Sequence, residues 1–487
     1  MLLRHSAIYL VARGVPGLLG LVAIVIFTRM LSAKSYGEYS LVVAGSVIVN
    51  SICYQWISAA LNRFLPQYQS NEKELLAAVF HVFLMASVII GFCGVLLLIY
   101  VWGNEGIRWL VFLGVLLTWA HAWFTLSIEL ARSRLSPIRY GVISACKSVV
   151  FLTLSVILIY NGYKSYGAIL GLTIGLFAAA TWAMRGEWAS IRGIIVNKAL
   201  VKNMLVYGAP LIASFAFTTT VSTSDKIMLA WFVDESATGL YTAGQGLVQQ
   251  SISILMMLVH LAAYPLIVRS LENEGEIAAR TQLRNNVNLL IGVGAPVTVI
   301  CFMLATEVSH IFLGEGYRES ASELIPWFSL AALLAGLRAY HFDIAFYLGE
   351  RTKLHVVVMG GVASINLILN YMLIPIYGVI GAVYASVVAH GVAVVMSAVL
   401  GGRVFCMPNI LGDVTRLLLS ALIMAVALYF IPNDSFYMLA LSTVTGVLVY
   451  GVSVFIFSPC NVRKILMQKF YRQRLISACS NSKRDPS

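Results

Sequence analysis

The sequence predicts an all-α polytopic membrane protein of about 14 transmembrane helices, built as two parallel six-helix lobes plus two C-terminal helices. Three observations carry this. Of 487 residues, 60% are hydrophobic and 11% charged, where soluble chains have about 25% charged residues, and the mean hydropathy is +0.86. Apolar runs of about 20 residues, the length that crosses a ~30 Å hydrocarbon core, recur from end to end. The order of features in the first half also returns about 200 residues later.

The expected spans cover 8–30, 39–62, 76–100, 107–131, 141–160, 165–184, 204–232, 240–268, 285–305, 323–348, 354–375, 380–402, 411–431 and 436–458. The first has a basic start and an apolar run too long for a signal-peptide core, so it reads as a retained span. Very short joins are expected around Tyr160–Tyr166 and Tyr377–Gly381. Threading this map alternately across a bilayer places about 24 Lys and Arg on the side of the N-terminus and about five on the other. That asymmetry predicts both termini in the cytoplasm. The net charge of +12 is dispersed over loops, without the basic face that nucleic-acid binding needs. The seven cysteines are scattered, with no CxxC and no Cys/His cluster, so neither disulfides nor a metal site is expected.

The repeat defines the domains. Gly14-x-Pro16 matches Gly208-x-Pro210, Gly37-Glu38-Tyr39 matches Gly239-Leu240-Tyr241, and Pro66 matches Pro265. The segment SYGAILGLTIG from Ser165 corresponds to IYGVIGAVYAS from Ile376. Six spans per copy is an even number, so both copies keep one orientation, an arrangement suited to two lobes rocking about a central site. The expected division is 1–184, an N-terminal lobe; 185–203, a cytoplasmic interfacial linker; 204–402, a C-terminal lobe; 403–458, two additional spans; and 459–487, a basic cytoplasmic tail. The linker reads either as a surface helix held to anionic lipid through Arg192, Lys198 and Lys202 or as a solvated loop.

Three stretches, IVIFTRMLSAKSYGEYSL, SDKIMLAWFVDESATGLYTAG and GERTKLHVVVMGGVASINLILNYMLIPIYGVIGAVYASVVAH, resemble the bacterial polysaccharide flippases of the multidrug/oligosaccharidyl-lipid/polysaccharide exporter superfamily. The resemblance implies two six-helix lobes around a cavity, two extra helices, and a substrate of sugar repeat units on polyprenyl pyrophosphate. It implies transfer from the cytoplasmic to the outer leaflet for O-antigen, capsule or exopolysaccharide synthesis, with polymerase and glycosyltransferases as partner enzymes. The protein is then not itself an enzyme. No cofactor is expected beyond a coupling proton or sodium ion.

A sugar-pyrophosphate headgroup needs cations for phosphate and aromatic or amide groups for sugar, so ionisable residues within spans are the candidates. Arg338 falls near the middle of the tenth span and is the first choice for pyrophosphate, with His341 three residues on expected on the same helix face; Asp343 is expected to point away. Arg13 and Lys147, in the cytoplasmic third of the first and fifth spans, could receive phosphate or snorkel to the interface. Asp225 and Lys226 lie toward the outer end of the seventh span, with Arg29 as their counterpart in the first, and read as an outer gate or a lobe-stabilising ion pair. Glu129 is expected to pair with Arg132. Trp119 and Trp123 share a helix face and either stack on sugar or pack helices, and Gln249 is a candidate cavity amide. His121, His260 and His390 could relay protons or serve in packing. Pro16 and Pro210 permit matched bends.

Three competing functions stay open: a multidrug or metabolite cation antiporter of the same superfamily, a peptidoglycan-precursor flippase, and a membrane glycosyltransferase or polymerase. A cation antiporter needs carboxylates deep in the spans, whereas the first span carries Arg13. The longest outer loop, about 306–322, is too short to build a polymerase domain, and no catalytic constellation stands out.

Overall fold

The computed structural model describes residues 2–457 except Leu135, Arg192, Ile195 and 432–435, with side chains placed from Gly14 onward apart from Gln69, Ala189 and Phe436. The expected tail at 459–487 lies outside the described residues. The chain is helical throughout, in the order α1 (Leu2–Met30), α2 (Ala33–Cys53), α3 (Gln55–Phe64), α4 (Glu72–Tyr100), α5 (Glu105–Ser133), α6 (Pro137–Leu158), α7 (Lys164–Ala189), α8 (Lys198–Phe232) and α9 (Glu235–Val248). It continues through α10 (Ile254–Glu274), α11 (Glu276–Met303), α12 (Ala305–Phe312), α13 (Glu315–Leu337), α14 (Ile344–Leu348), α15 (Thr352–Tyr377), α16 (Val379–Gly402), α17 (Leu411–Tyr429) and α18 (Phe436–Phe457). Wider π-helical turns at Gln249–Ser253 and Arg338–Phe342 join α9 to α10 and α13 to α14.

Among the described residues, eleven helices are long and apolar enough to cross a membrane, or twelve when α2 and α3, bent by 44°, count as one span. One of the eleven is the 52-residue stretch Pro137–Trp188, in which the chain doubles back. Gly162, at φ 90°, makes that turn, and the Ser155 hydroxyl donates to Ala168 O across the resulting hairpin at 3.3 Å. Gly378, at φ 59°, makes the equivalent turn between α15 and α16. Both angles lie in the left-handed region that glycine enters without steric cost. With the shorter apolar stretch Gly14–Met30 of α1, the expected fourteen spans are accounted for.

Helix ends are marked by capping side chains. Asn104 accepts from Ile107 N at 3.2 Å, Asn197 from Ala199 N at 3.0 Å, and Asp234 from Ala237 N at 2.6 Å, each satisfying a donor that the first helical turn leaves unpaired. Broad apolar faces remain exposed, such as Val88, Ile89 and Phe92 on α4 and Leu418, Leu422 and Val426 on α17. Such continuous faces are stable against lipid and costly in water. The protein is a multi-pass membrane protein.

Packing repeats between the two halves. In the first, α6 packs on α1 and α7, and α5 on α2 and α7; in the second, α15 packs on α8 and α16, and α13 on α9 and α16. Helices α17 and α18 attach to the second group through α11, where Leu417, Ala421, Met424 and Leu428 join Val287 and Ile291 and Arg284 Nε meets Asp413 Oδ2 at 2.6 Å. Among the described residues of 185–203, which read either as a surface helix or as a solvated loop, the flanking helices reach in from both sides. α7 runs on to Ala189 and α8 begins at Lys198, because helical hydrogen bonding continues past the apolar boundary wherever the side chains permit it. Within this region Glu187 pairs with Arg134 at 2.6 Å and Arg139 at 2.8 Å, and Arg134 also pairs with Glu72 at 2.6 Å. These pairs tie the ends of α4, α5, α6 and α7 together at the Lys/Arg-rich end of the molecule, called the basic end below.

At the opposite end α2 and α9 meet at their glycines. A Cβ on Gly37 would lie 1.7 Å from Glu235 O, and one on Gly239 would lie 2.0 Å from Ala33 O. The Gly-x-Tyr repeat therefore sits at the contact where each half abuts the other. Arg29 Nη2 donates to Ile311 O at 2.7 Å, Tyr317 OH to Leu31 O at 3.0 Å, and Gly314 N to Thr28 Oγ1 at 3.2 Å. Ser40 and Thr242 hydroxyls bond at 2.7 Å. This end is shut. The halves also touch along α8, where Trp56 fills the notch at Gly208 and the rings of Phe64 and Tyr207 lie 5.9 Å apart.

Candidate functional site

A cavity of about 500 Å³ opens in the C-terminal half, walled by α8, α9, both π-helical turns, α13, α15 and α16, with Tyr36 contributed by α2. This is within the range of roughly 300–1,000 Å³ usual for ligand sites. Its wall is mixed. Lys226 and Arg338 supply cations; Gln245, Gln249 and Gln250 supply amides; Thr218, Ser222, Thr242 and Ser253 supply hydroxyls; and Phe328, Ala331, Ala332 and Ala335 form an apolar floor. His390 and Tyr340 complete it.

Arg338 owes its position to the π-helical turn. In such a turn residue i+5 hydrogen-bonds back to residue i, and Asp343 N donates to Arg338 O at 2.8 Å. The wider turn brings Asp343 over Arg338, so that Oδ2 lies 3.7 Å from Arg338 Nε. This corrects the expectation that Asp343 points away, which assumed regular α-helical spacing. It corrects His341 for the same reason. That ring is fully buried, both its nitrogens lack hydrogen-bond partners, and it is not part of the cavity wall. Arg338 Nη1 rests on Met359 Sδ at 2.5 Å, and the buried Nε has no hydrogen-bond acceptor. A guanidinium has five N–H donors; here Nε has no hydrogen-bond acceptor and Nη1 meets a thioether sulfur, beside a polar cavity.

Asp225 and Lys226 do not form the expected ion pair. Among the described residues no cation lies within pairing distance of Asp225. Its Oδ2 accepts from Tyr241 OH at 2.5 Å and Ser386 Oγ at 2.8 Å, and its Oδ1 from Asn370 Nδ2 at 2.5 Å. Ser224 Oγ donates to Asn366 Oδ1 at 2.9 Å in the same cluster. Both residues line the cavity, but adjacent side chains on a helix diverge by about 100°, so Asp225 meets Tyr241, Ser386 and Asn370 rather than its neighbour. Asp225 thus knots α8, α9, α15 and α16 together, and Lys226 is left without a polar partner. Arg29 serves the shut end through Ile311 O and touches neither residue.

The other candidates lie apart from the cavity. Trp123 is surrounded by Phe80, Phe83 and Trp188, with ring centroids 5.1–6.1 Å away, and its Nε1 donates to Thr181 Oγ1 at 3.0 Å. Trp119 Nε1 donates to Ser87 O at 3.2 Å. Both rings pack inside the N-terminal half, because the face they share points to α4 and α7. Lys147 also lies there, its Nζ 5.9 Å above the Phe124 ring. Glu129 pairs with Arg132 at 2.7 Å and accepts from Asn62 Nδ2 at 2.8 Å. Arg13 falls on α1, and its side chain lies outside the described ones. Gln249 does line the cavity. Sequence reasoning missed the contributions of Thr218, Ser222, Ser253 and Tyr340, which are ordinary residues in apolar runs, and set His390 aside with the other intramembrane histidines.

Comparison with curated proteins finds no match. Among solved structures the chain is similar to the lipid II flippase MurJ in an inward closed conformation, with a TM-score of 0.78 and 15% identity over 94% of this chain and 99% of that one. It is also similar to an inward-facing multidrug resistance MATE transporter of the MOP superfamily, with a TM-score of 0.63 and 13% identity over 81% of this chain and 97% of that one. A Vibrio cholerae MATE transporter matches with a TM-score of 0.54 and 15% identity, covering 82% and 96%. At these identities the likeness establishes the fold, which is that of MOP exporters. Residues 2–271 match the family described as polysaccharide biosynthesis protein, more than half of the chain, and the chain belongs to that family.

Proposed function

We propose that the protein moves polyprenyl-pyrophosphate-linked oligosaccharide repeat units from the cytoplasmic to the outer leaflet of the bacterial inner membrane, by alternating access, for surface polysaccharide synthesis. The observation that carries this is that two cations, Lys226 and Arg338, face one polar cavity, with Arg338 Nε buried and lacking a hydrogen-bond acceptor. Holding a cation out of water costs several kcal/mol, of order 3 or more even on permissive scales, and at 3.7 Å without a hydrogen bond Asp343 offsets only part of it for Arg338. A pyrophosphate diester would offset that cost at both cations, and the three glutamines and the hydroxyls suit a glycan. The basic end faces the cytoplasm in this reading, by the asymmetry of Lys and Arg. Closure at the glycine contact then gives a state shut toward the outside. Glycosyltransferases would supply the substrate at the inner face, and a polymerase would consume it outside.

A cationic drug fits the same wall less well, since Asp225 on that wall already accepts three hydrogen bonds and Asp343 is held by Arg338, His355 and Ser397, while Lys226 and Arg338 bring two positive charges to it. A peptidoglycan precursor carries the same pyrophosphate and is separated from the favoured reading only by its glycan. Placing the photo-crosslinking amino acid benzoylphenylalanine at Gln249, with Leu418 on the exposed face of α17 as control, tests the site and the cargo together. Irradiated membranes should yield an adduct with the labelled lipid-linked repeat unit at position 249, lost when Arg338→Ala is added. Capture at 418 alone would contradict the site, and capture of the peptidoglycan precursor alone would replace the cargo.

A further inference from the structure

Three groups from three elements converge on Asp343. Arg338 Nε lies 3.7 Å from Oδ2, His355 Nε2 of α15 lies 3.3 Å from the same oxygen, and the Ser397 hydroxyl of α16 donates to Oδ1 at 2.6 Å. Asp343 is 3% exposed, so these groups rather than water must balance its charge. The two cationic candidates are not equivalent. Arg338 is near the carboxylate without a hydrogen bond to it from Nε, and the rest of its guanidinium lies on the cavity wall. It is placed to turn toward a better acceptor. His355 sits in the first turn of α15 at the basic end, behind the exposed Glu350, Arg351 and Lys353, within reach of protons from bulk water.

The surroundings of His355 contain few other ionisable groups. Phe346 and Tyr347 of α14 approach it with ring centroids 5.9 and 5.5 Å away. Tyr264 of α10 belongs to the cluster that packs around α14, and from α16 only the Ser397 hydroxyl reaches Asp343. His390, also of α16, lines the cavity with Arg338.

We propose that Asp343 is the positioning residue for Arg338 and that His355 is its proton-dependent second counterion. When a pyrophosphate diester draws Arg338 into the cavity, Asp343 is left to His355, which takes up a proton from water at the basic end. This rests on the proposed function, since it requires an anion in the cavity. The sign follows from linkage: the anion-bound state holds more protons than the empty state, so affinity rises as pH falls.

The test uses the full-length protein in detergent and UDP-glucose, a soluble pyrophosphate diester whose phosphates do not titrate between about pH 6 and 8. Calorimetry in two buffers of different ionisation enthalpy reads both affinity and proton uptake. The wild-type protein should bind about tenfold more tightly at pH 6 than at pH 8, with net proton uptake. His355→Gln should bind with an affinity independent of pH and without proton uptake, at an unchanged thermal midpoint. A His355→Gln variant that keeps the wild-type pH slope and uptake overturns the proposal. Binding that requires Arg338 but is flat with pH in the wild-type protein removes the proton linkage alone. No binding of UDP-glucose, or equal binding by Arg338→Ala, removes the anion site and this inference with it.

Discussion

The two halves share one packing plan and differ in what fills it. In the N-terminal half the space among α3, α4, α5 and α7 is occupied by Tyr54, Phe80, Phe83, Trp123 and Trp188, whose rings tilt and stack against each other. In the C-terminal half α8, α9, α13, α15 and α16, the counterparts of α1, α2, α5, α6 and α7, surround a cavity bearing Lys226, Arg338 and three glutamines. A repeat thus conserves the positions of helices without conserving what they enclose. One half is filled by aromatic packing and the other carries the polar wall.

The largest effect should come from setting one span cation of each half against the other. Arg338→Ala should reduce surface polysaccharide by about 100-fold at normal protein level, as loss of a buried charge contact worth at least ~2–3 kcal/mol implies. Lys147→Ala should stay within about threefold, because its ammonium faces Phe124 and the interior of the other half. Equal losses from both would mean that the halves share the site, and the contrast drawn above would fail.

The next effect concerns the contact that joins the halves. Gly37→Ala introduces a methyl group 1.7 Å from Glu235 O, and a backbone carbonyl cannot step aside as a side chain can. The shut end should separate, at a cost of about 1–3 kcal/mol. A cysteine replacing Thr242 in a background without other cysteines should then react several-fold faster with an impermeant maleimide added outside. Unchanged labelling would show that α2 and α9 are not the closing contact.

The smallest effect on transport should come from the aromatic interior. Trp123→Ala should lower the stability of the purified protein by about 3–5 kcal/mol, typical of truncating a buried aromatic. Transport per folded molecule should be nearly unchanged. A variant with wild-type thermal stability but no transport would return Trp123 to the substrate path.

Much of this architecture was legible in the chain. Apolar length and Lys/Arg asymmetry placed the spans, since both follow from bilayer thickness and the cost of moving charge across it. The Gly-x-Tyr repeat was visible as a repeat, and the structure adds that each glycine is needed by the other half. Three matters were not legible, each for a physical reason. The π-helical turn at Arg338 leaves no mark in composition, yet it reverses which of His341 and Asp343 lies beside the guanidinium. The partners of Asp225 include Asn370 and Ser386, more than a hundred residues distant, so its neighbour Lys226 looked like the natural counterion. Helical spacing showed that Trp119 and Trp123 share a face, but spacing alone does not say whether that face meets a cavity or a neighbouring helix.

The central claim is that this chain carries a lipid-linked glycan through a cavity governed by Arg338. It is tested most directly with purified protein in liposomes holding a fluorescent polyprenyl-pyrophosphate-linked oligosaccharide, following its arrival in the opposite leaflet by enzymatic trimming of the exposed glycan. Wild-type protein should move the lipid, and Arg338→Ala should leave it at the rate of protein-free liposomes. Translocation by Arg338→Ala at the wild-type rate, or wild-type protein that moves a cationic dye and not the glycolipid, would contradict the account.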